Sequence, residues 1–299
     1  MTGKTRIIVH DDLDGAAAGA VAVLMTDPPK EVVHCSYDTI DWHVTEVVYK
    51  SSAEDLIIIA DICPGPDAMK RLNALPAKTI LVDHHETRRD LVDMYDWAVY
   101  SSPDCGALGL YKELTRQGYV LFGADDKQKS DLEHFLSAVD AYDTWDLDSP
   151  DRTRGEWLNR LCGFFRARRF RRIIEQSFGS IEHLRMSLFE LDDVILGNQT
   201  DYAAKAVDRV QIKRDGEGYR VGLVHAEQHR SEVGHAILGA RSLEVDYVVV
   251  VDWMSDALSL RSSKVDVGKI AARWGGGGHG GAAGIPTVHQ GYLDSLEDL

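Results

Sequence analysis

Three things are scarce in this 299-residue chain. Cysteine is the first: there are four, Cys35, Cys63, Cys105 and Cys162, widely spaced and with no C-x-x-C pair. That spacing argues against a zinc ribbon or a disulfide framework and suits a reducing compartment. Long apolar runs are the second. Tyr247 to Val251 has the length of a strand and falls far short of a membrane span. The first residues also lack the apolar core of a signal peptide. A cytoplasmic protein with no membrane partner is therefore expected. Positive charge is the third: 33 Lys and Arg stand against 48 Asp and Glu, a formal net charge of −15. Proteins that coat long nucleic acids need cationic surface, because phosphate contacts dominate their affinity. An acidic chain favours a short anionic substrate gripped by a few residues.

What is abundant is carboxylate and imidazole at the ends of apolar, strand-like runs. Thr79-Ile80-Leu81-Val82 leads straight into Asp83-His84-His85. Ile7-Ile8-Val9 leads into His10-Asp11-Asp12-Leu13-Asp14-Gly15, where His10, Asp12 and Asp14 alternate and would share one face of an extended segment. Leu56 to Ala60 ends on Asp61, with Pro64-Gly65-Pro66 breaking the chain after it. In open α/β sheets the carboxyl ends of the strands are where ligands bind. Gathered there without counterions, these acids would repel one another and raise each other's pKa values. Divalent cations would turn that repulsion into binding, and mixed Asp/His donors suit Mn, Fe or Zn.

Strand-like runs at 6–9, 32–36, 56–60, 79–82 and 97–100 alternate with helix-like stretches, which predicts a doubly wound, mostly parallel sheet. Cys105 to Arg116 reads as a helix capped by Asp104, Lys127 to Asp143 as a longer one, and Arg152 to Phe178 as helical and basic. Leu188 to Ile212 is polar and helical, a candidate connector. Beyond it Tyr219–Val224, Val245–Asp252 and Leu258–Arg261 read as strands and His229–Ala240 as a helix. The expected organisation is an α/β domain over 1–187, a helical linker over 188–212 and a smaller α/β domain over 213–299. The run Arg166, Arg168, Arg169, Arg171 and Arg172 reads first as a solvated helix face.

The ordered series His10-x-Asp12-x-Asp14-Gly15, Asp61 and Asp83-His84-His85 resembles the first three motifs of the DHH phosphoesterase superfamily. The far end agrees: Leu258 to Ser263, Val265 to Val267 and Gly275 to Gly284 resemble the DHH-associated C-terminal domain of the nanoRNase group. The motifs span nearly the whole chain. One departure touches His10, which has a single residue before Asp12 where the pyrophosphatase and nanoRNase groups have three.

The resemblance implies a two-metal hydrolase. His10, Asp12 and Asp61 would hold one cation and Asp14, Asp61, His84 and Asp140 the other, with Mn²⁺ expected and Asp61 bridging. Asp140 is preferred as the fourth-motif ligand because it follows the apolar run most directly, with Asp143 as the alternative. Asp61 and His85 would take catalytic roles, His85 facing the substrate or supporting the ligands. Arg261, Ser262, Gly276, Gly277, Gly278 and His279 would bind substrate phosphate, the glycines as a loop that aims N–H groups at an anion. The expected activity is phosphodiester hydrolysis of short oligonucleotides or linear dinucleotides such as pGpG, releasing mononucleotides. Cyclic-dinucleotide phosphodiesterase and pAp phosphatase are alternatives, as is a non-catalytic nucleic-acid-binding module. Homodimerisation is left open.

Overall fold

The computed structural model describes residues 3–146, 148–286 and 290–298. They form two compact units that divide between Asp192 and Asp193. In the first unit the chain runs β1 (Thr5–His10), α1 (Leu13–Met25), β2 (Lys30–Cys35), α2 (Ile40–Lys50), β3 (Leu56–Ala60), α3 (Pro66–Asn73) and β4 (Lys78–Asp83). A 3-10 turn (Glu86–Arg88), α4 (Arg89–Val92), β5 (Ala98–Tyr100), α5 (Gly106–Arg116), α6 (Asp126–Asp143), α7 (Arg152–Phe165) and α8 (Ala167–Ser177) follow. α9 (Ile181–Val207) crosses the division.

The five strands pair in the order β2-β1-β3-β4-β5, all in parallel. Parallel strands are covered on both faces, which is why β1, β3 and β4 are almost continuously apolar. Ile8, Ile57, Ile59 and Leu81 pack against Val44, Val47, Met69 and Leu72 of α2 and α3. The Ala-rich α1 lies on the opposite side with α5 and α8 against it, and its small side chains let it be buried all round. Each fully buried Ile contributes roughly 1.5–3 kcal/mol of burial free energy. In this order the connection reverses direction between β1 and β3, the topological switch point where a crevice opens.

Helix ends follow local chemistry. Asp125 and Gln128 form a reciprocal capping box at the start of α6. The expected Asp104 cap is not used; Cys105 occupies that position on α5 with no side-chain bond. The helical, basic stretch expected from 152 to 178 is two helices, α7 and α8, divided at Arg166, whose φ is 66°. Arg171 also departs from the solvated face: it is buried, pairs with Glu175 and lies against Gly19 of α1.

The second unit contains β6 (Gln211–Arg214), β7 (Arg220–His225), α10 (Arg230–Gly239), β8 (Tyr247–Asp252), β9 (Ala257–Arg261) and α11 (Val267–Arg273). It closes with β10 (Gly277–His279), β11 (Ala282–Ile285), α12 (Gln290–Asp294) and β12 (Glu297–Asp298). The strands form one mixed sheet ordered β10-β11-β9-β8-β7-β6-β12, in which β7 and β8 are the parallel pair. Among the described residues no helix is long and apolar enough to cross a membrane.

Candidate metal centre

The predicted acids converge at the carboxyl end of the parallel sheet, but not through strand alternation. β1 stops at His10; Asp12 is the N-cap of α1 and accepts the Gly15 N–H at 2.9 Å, and Asp14 lies in the helix's first turn. Gly15 is obligatory, since a Cβ there would come within 2.1 Å of the His10 carbonyl oxygen. Asp11 is exposed. Asp61 follows β3 with φ 61°, a left-handed conformation that Asp tolerates better than most residues.

Three groups of potential ligands result: His10, Asp12 and Asp61; Asp61, His84 and His85; Asp14, His84 and Asp143. Within them His10 Nδ1 is 2.7 Å from Asp12 Oδ2 and 3.7 Å from Asp61 Oδ2, so the short His-x-Asp spacing still brings His10 in. His84 Nε2 is 3.3 Å from Asp61 Oδ1, 3.8 Å from Asp14 Oδ2 and 3.2 Å from Asp143 Oδ2. The two oxygens of Asp61 thus face different partners. Donors bound about 2.0–2.2 Å from one cation lie roughly 3–3.5 Å apart, which is the scale of these separations.

Asp140 stands outside all three groups. Its carboxylate accepts the Cys105 N–H at 2.7 Å at the start of α5, while Asp143, one helical turn later, reaches His84. α5 also fixes Asp14, whose two oxygens accept the Gly106 and Ala107 N–H groups at 2.7 and 2.8 Å. A helix N-terminus stabilises such an anion. Gly106 is needed for this approach, because a Cβ would stand 2.7 Å from Asp61 Cβ.

The fully buried Asp83 carboxylate accepts a hydrogen bond from His85 Nδ1 at 2.8 Å, which orients the ring. Tyr37, not anticipated from the sequence, is edge-on to His10 and His85 at centroid distances of 5.4 and 5.8 Å. A lone tyrosine after a strand carries no signal that would have singled it out.

The electrostatics are those of an acid cluster whose counter-charge is mainly the His10 imidazole. Burial first, then repulsion from Asp61, raises Asp14 well above the carboxylate range. Burial and the neighbouring Asp12 do the same to Asp61. Burial, with Asp14 and Asp12, lifts Asp143 from 3.8 to about 7. Burial alone would lower His10, but Asp12 and Asp61 outweigh it and hold the imidazole up to about 11. Close as they lie to one another, His10 Nδ1, Asp61 Oδ2 and His84 Nε2 are buried without a well-directed hydrogen bond. Unsatisfied buried donors and acceptors of this kind are rare in native folds unless an ion or water completes them. Nitrogen and oxygen donors with no thiolate fit divalent cations of borderline hardness.

In the second unit the predicted residues are dispersed among structural tasks. The Arg261 guanidinium donates to the Leu260 carbonyl and to Ser231 Oγ, both at 2.8 Å. The Ser262 hydroxyl is consumed by its own turn: it donates to the Asp246 carbonyl and accepts the Lys264 and Val265 N–H groups. Gly277, Gly278 and His279 are exposed, yet they form an edge strand rather than the expected loop, pairing with Ala282 to Gly284. Gly276 precedes that strand, where a Cβ would meet the Gly284 carbonyl oxygen at 2.1 Å.

Fold and cluster together define a two-domain α/β protein with donors for divalent cations at its switch point. No family model matches the chain. It is 28% identical over 297 residues to oligoribonuclease NrnB of Bacillus subtilis, covering 95% of this chain and 73% of that one. Among solved structures, the DHH domain of a protein classed with a ribosomal protein family aligns at TM-score 0.66 and 16% identity, over 98% of this chain and 85% of the other. RecJ of Thermus thermophilus in complex with Mn²⁺ aligns at TM-score 0.59 and 16% identity, over 97% of this chain and 50% of RecJ. The chain is thus similar in sequence to an oligoribonuclease and shares its fold with DHH-domain structures.

Proposed function

We propose that the protein is a metal-dependent phosphodiesterase that hydrolyses short oligonucleotides or linear dinucleotides such as pGpG to mononucleotides. The observation that carries this reading is the convergence of unsatisfied buried atoms of His10, Asp61 and His84 among four carboxylates. Its likeness to an oligoribonuclease supports the substrate class. The net charge of −15 supports short substrates over long ones. Mn²⁺ is the expected metal, since RecJ carries it and Mg²⁺ avoids imidazole.

His10, Asp12, Asp14, Asp61, His84 and Asp143 hold the cations in this reading, with Asp61 shared. A bound pair of divalent ions would lower the pKa of water and offset the charge gathering on the phosphoryl oxygens. Asp83 holds the His85 imidazole by Nδ1, which leaves Nε2 to stabilise the reacting phosphoryl group or to protonate the departing oxygen. Asp14 is anchored on α5, so its position is set before substrate arrives. Arg261 and the exposed His279 remain candidate contacts to substrate phosphate.

The test is a rate ranking with Mn²⁺ on pAp, linear and cyclic dinucleotides, longer oligomers and pyrophosphate. Fastest release of mononucleotides from linear dinucleotides and short oligomers is expected. Failure to hydrolyse any phosphodiester, together with RNA binding by metal-free protein, would instead establish a binding module.

A further inference from the structure

Among the described residues Arg88 has no acid partner, in a chain rich in acids. It ends the 3-10 turn that follows His84 and His85 and is half-buried. Among the described residues no carboxylate oxygen lies within 4.0 Å of its guanidinium. Two acids stand two residues away: Glu86 accepts the Tyr100 hydroxyl and lies 3.8 Å from Arg89, which also reaches Asp93 at 3.7 Å, and Asp90 on the other side makes no ion pair with Arg88 among the described residues. What Arg88 does touch is Tyr37, with its guanidinium carbon 5.7 Å from the ring centroid.

Tyr37 in turn meets His10 and His85, whose own ring centroids are 6.5 Å apart. Cation, phenol and two imidazoles therefore form one contiguous layer on the rim of the metal centre. A cation–π contact of this kind supplies only about 0.5–1 kcal/mol, little return for holding a guanidinium half out of water. The fork of an arginine matches phosphate oxygens, and an arginine without a carboxylate partner keeps that fork available.

We propose that Arg88 is a phosphate-binding residue, taking a non-bridging oxygen of the substrate's phosphodiester, and that Tyr37 is the positioning residue that holds its guanidinium beside His10 and His85. The assignment rests on the phosphodiesterase reading and adds to it the cation that receives the anionic group.

The experiment titrates Mn²⁺ into the full chain and its variants by calorimetry. Inorganic phosphate and AMP are then titrated into the Mn²⁺-loaded proteins, and kcat and KM are measured on pApA. Arg88→Ala should bind Mn²⁺ like wild type yet lose about 10- to 100-fold in phosphate affinity and in kcat/KM, the span of a charge-assisted hydrogen bond. Arg88→Lys should recover part of both. Tyr37→Ala should fall in the same direction as Arg88→Ala, and Tyr37→Phe, which keeps the ring, should lose less than Tyr37→Ala. Wild-type phosphate affinity and turnover in Arg88→Ala would overturn the assignment. So would losses that only track weakened Mn²⁺ binding. If wild type hydrolyses no phosphodiester but Arg88→Ala still loses phosphate affinity, the proposed function falls and the phosphate contact stands.

Discussion

Adding one methyl group at Gly106 tests whether close packing of α5 builds the centre. The new Cβ would lie 2.7 Å from Asp61 Cβ, 2.8 Å from Asp61 Cα and 3.0 Å from Asp14 Oδ2. Ordinary carbon contacts need about 3.5 Å, so α5 or Asp61 must retreat by somewhat under 1 Å. Overpacking of this size costs about 1–3 kcal/mol, and the two N–H bonds to Asp14 weaken as α5 backs away. A net loss of about 2–4 kcal/mol would lower Tm by roughly 5–15 °C in a domain of this size. A misplacement approaching 1 Å also costs on the order of 100-fold in rate. Gly163→Ala is the control: nothing lies within 4 Å of its built Cβ and it sits inside α7, so that variant should hold or gain up to about 1 kcal/mol. Thermal unfolding and Mn²⁺-dependent turnover of pApA would be measured on both. Wild-type Tm and rate in Gly106→Ala would refute the idea that α5 seats the acids by direct contact.

Three further outcomes follow from the same geometry. Asp61→Asn should keep the fold and lose at least about 100-fold in turnover, with fewer Mn²⁺ bound per chain by calorimetry, because one side chain faces both ligand groups. Asp143→Asn should lose Mn²⁺ affinity and activity, whereas Asp140→Asn should retain most activity and cost about 1–2 kcal/mol through its bond to Cys105; equal metal affinities in the two variants would contradict the assignment. For pH, Asp143 is raised from 3.8 to about 7, so its contribution to metal-free stability is full below 3.8 and lost as pH rises to about 7. His10, raised from 6.5 to about 11, contributes fully below 6.5 and loses that contribution toward about 11. Metal-free Tm should therefore be lower at about pH 8 than at about pH 5.5, with Mn²⁺ raising it more at the higher pH; a metal-free Tm that rises between them would refute the shifts.

The strand ends were legible because an apolar run that stops on an acid is a pattern of period and polarity, and β1, β3 and β4 end where such runs end. Asp143 was not separable from Asp140, since two acids three positions apart on one helix project to neighbouring places, and their different surroundings, the Cys105 N–H for Asp140 and His84 for Asp143, come only from tertiary packing. The break at Arg166 has no glycine or proline to announce it. Glycine's poor strand propensity hid β10, which forms because β11 supplies a partner and Gly278 can adopt φ 140°. Ser262 carried a readable signal that pointed elsewhere: a serine hydroxyl at the end of a strand commonly closes a local turn. Tyr37 and Arg88 reach the centre only through the tertiary path of their loops.

The bond from Gly106 to Asp14 spans 92 residues of sequence. A nascent chain that has emerged only as far as β4 already displays most of the acids, but nothing yet aims Asp14. Competence to capture cations should thus arrive late in synthesis and abruptly, when α5 docks, and Mn²⁺ uptake during refolding would serve as a clock for that docking.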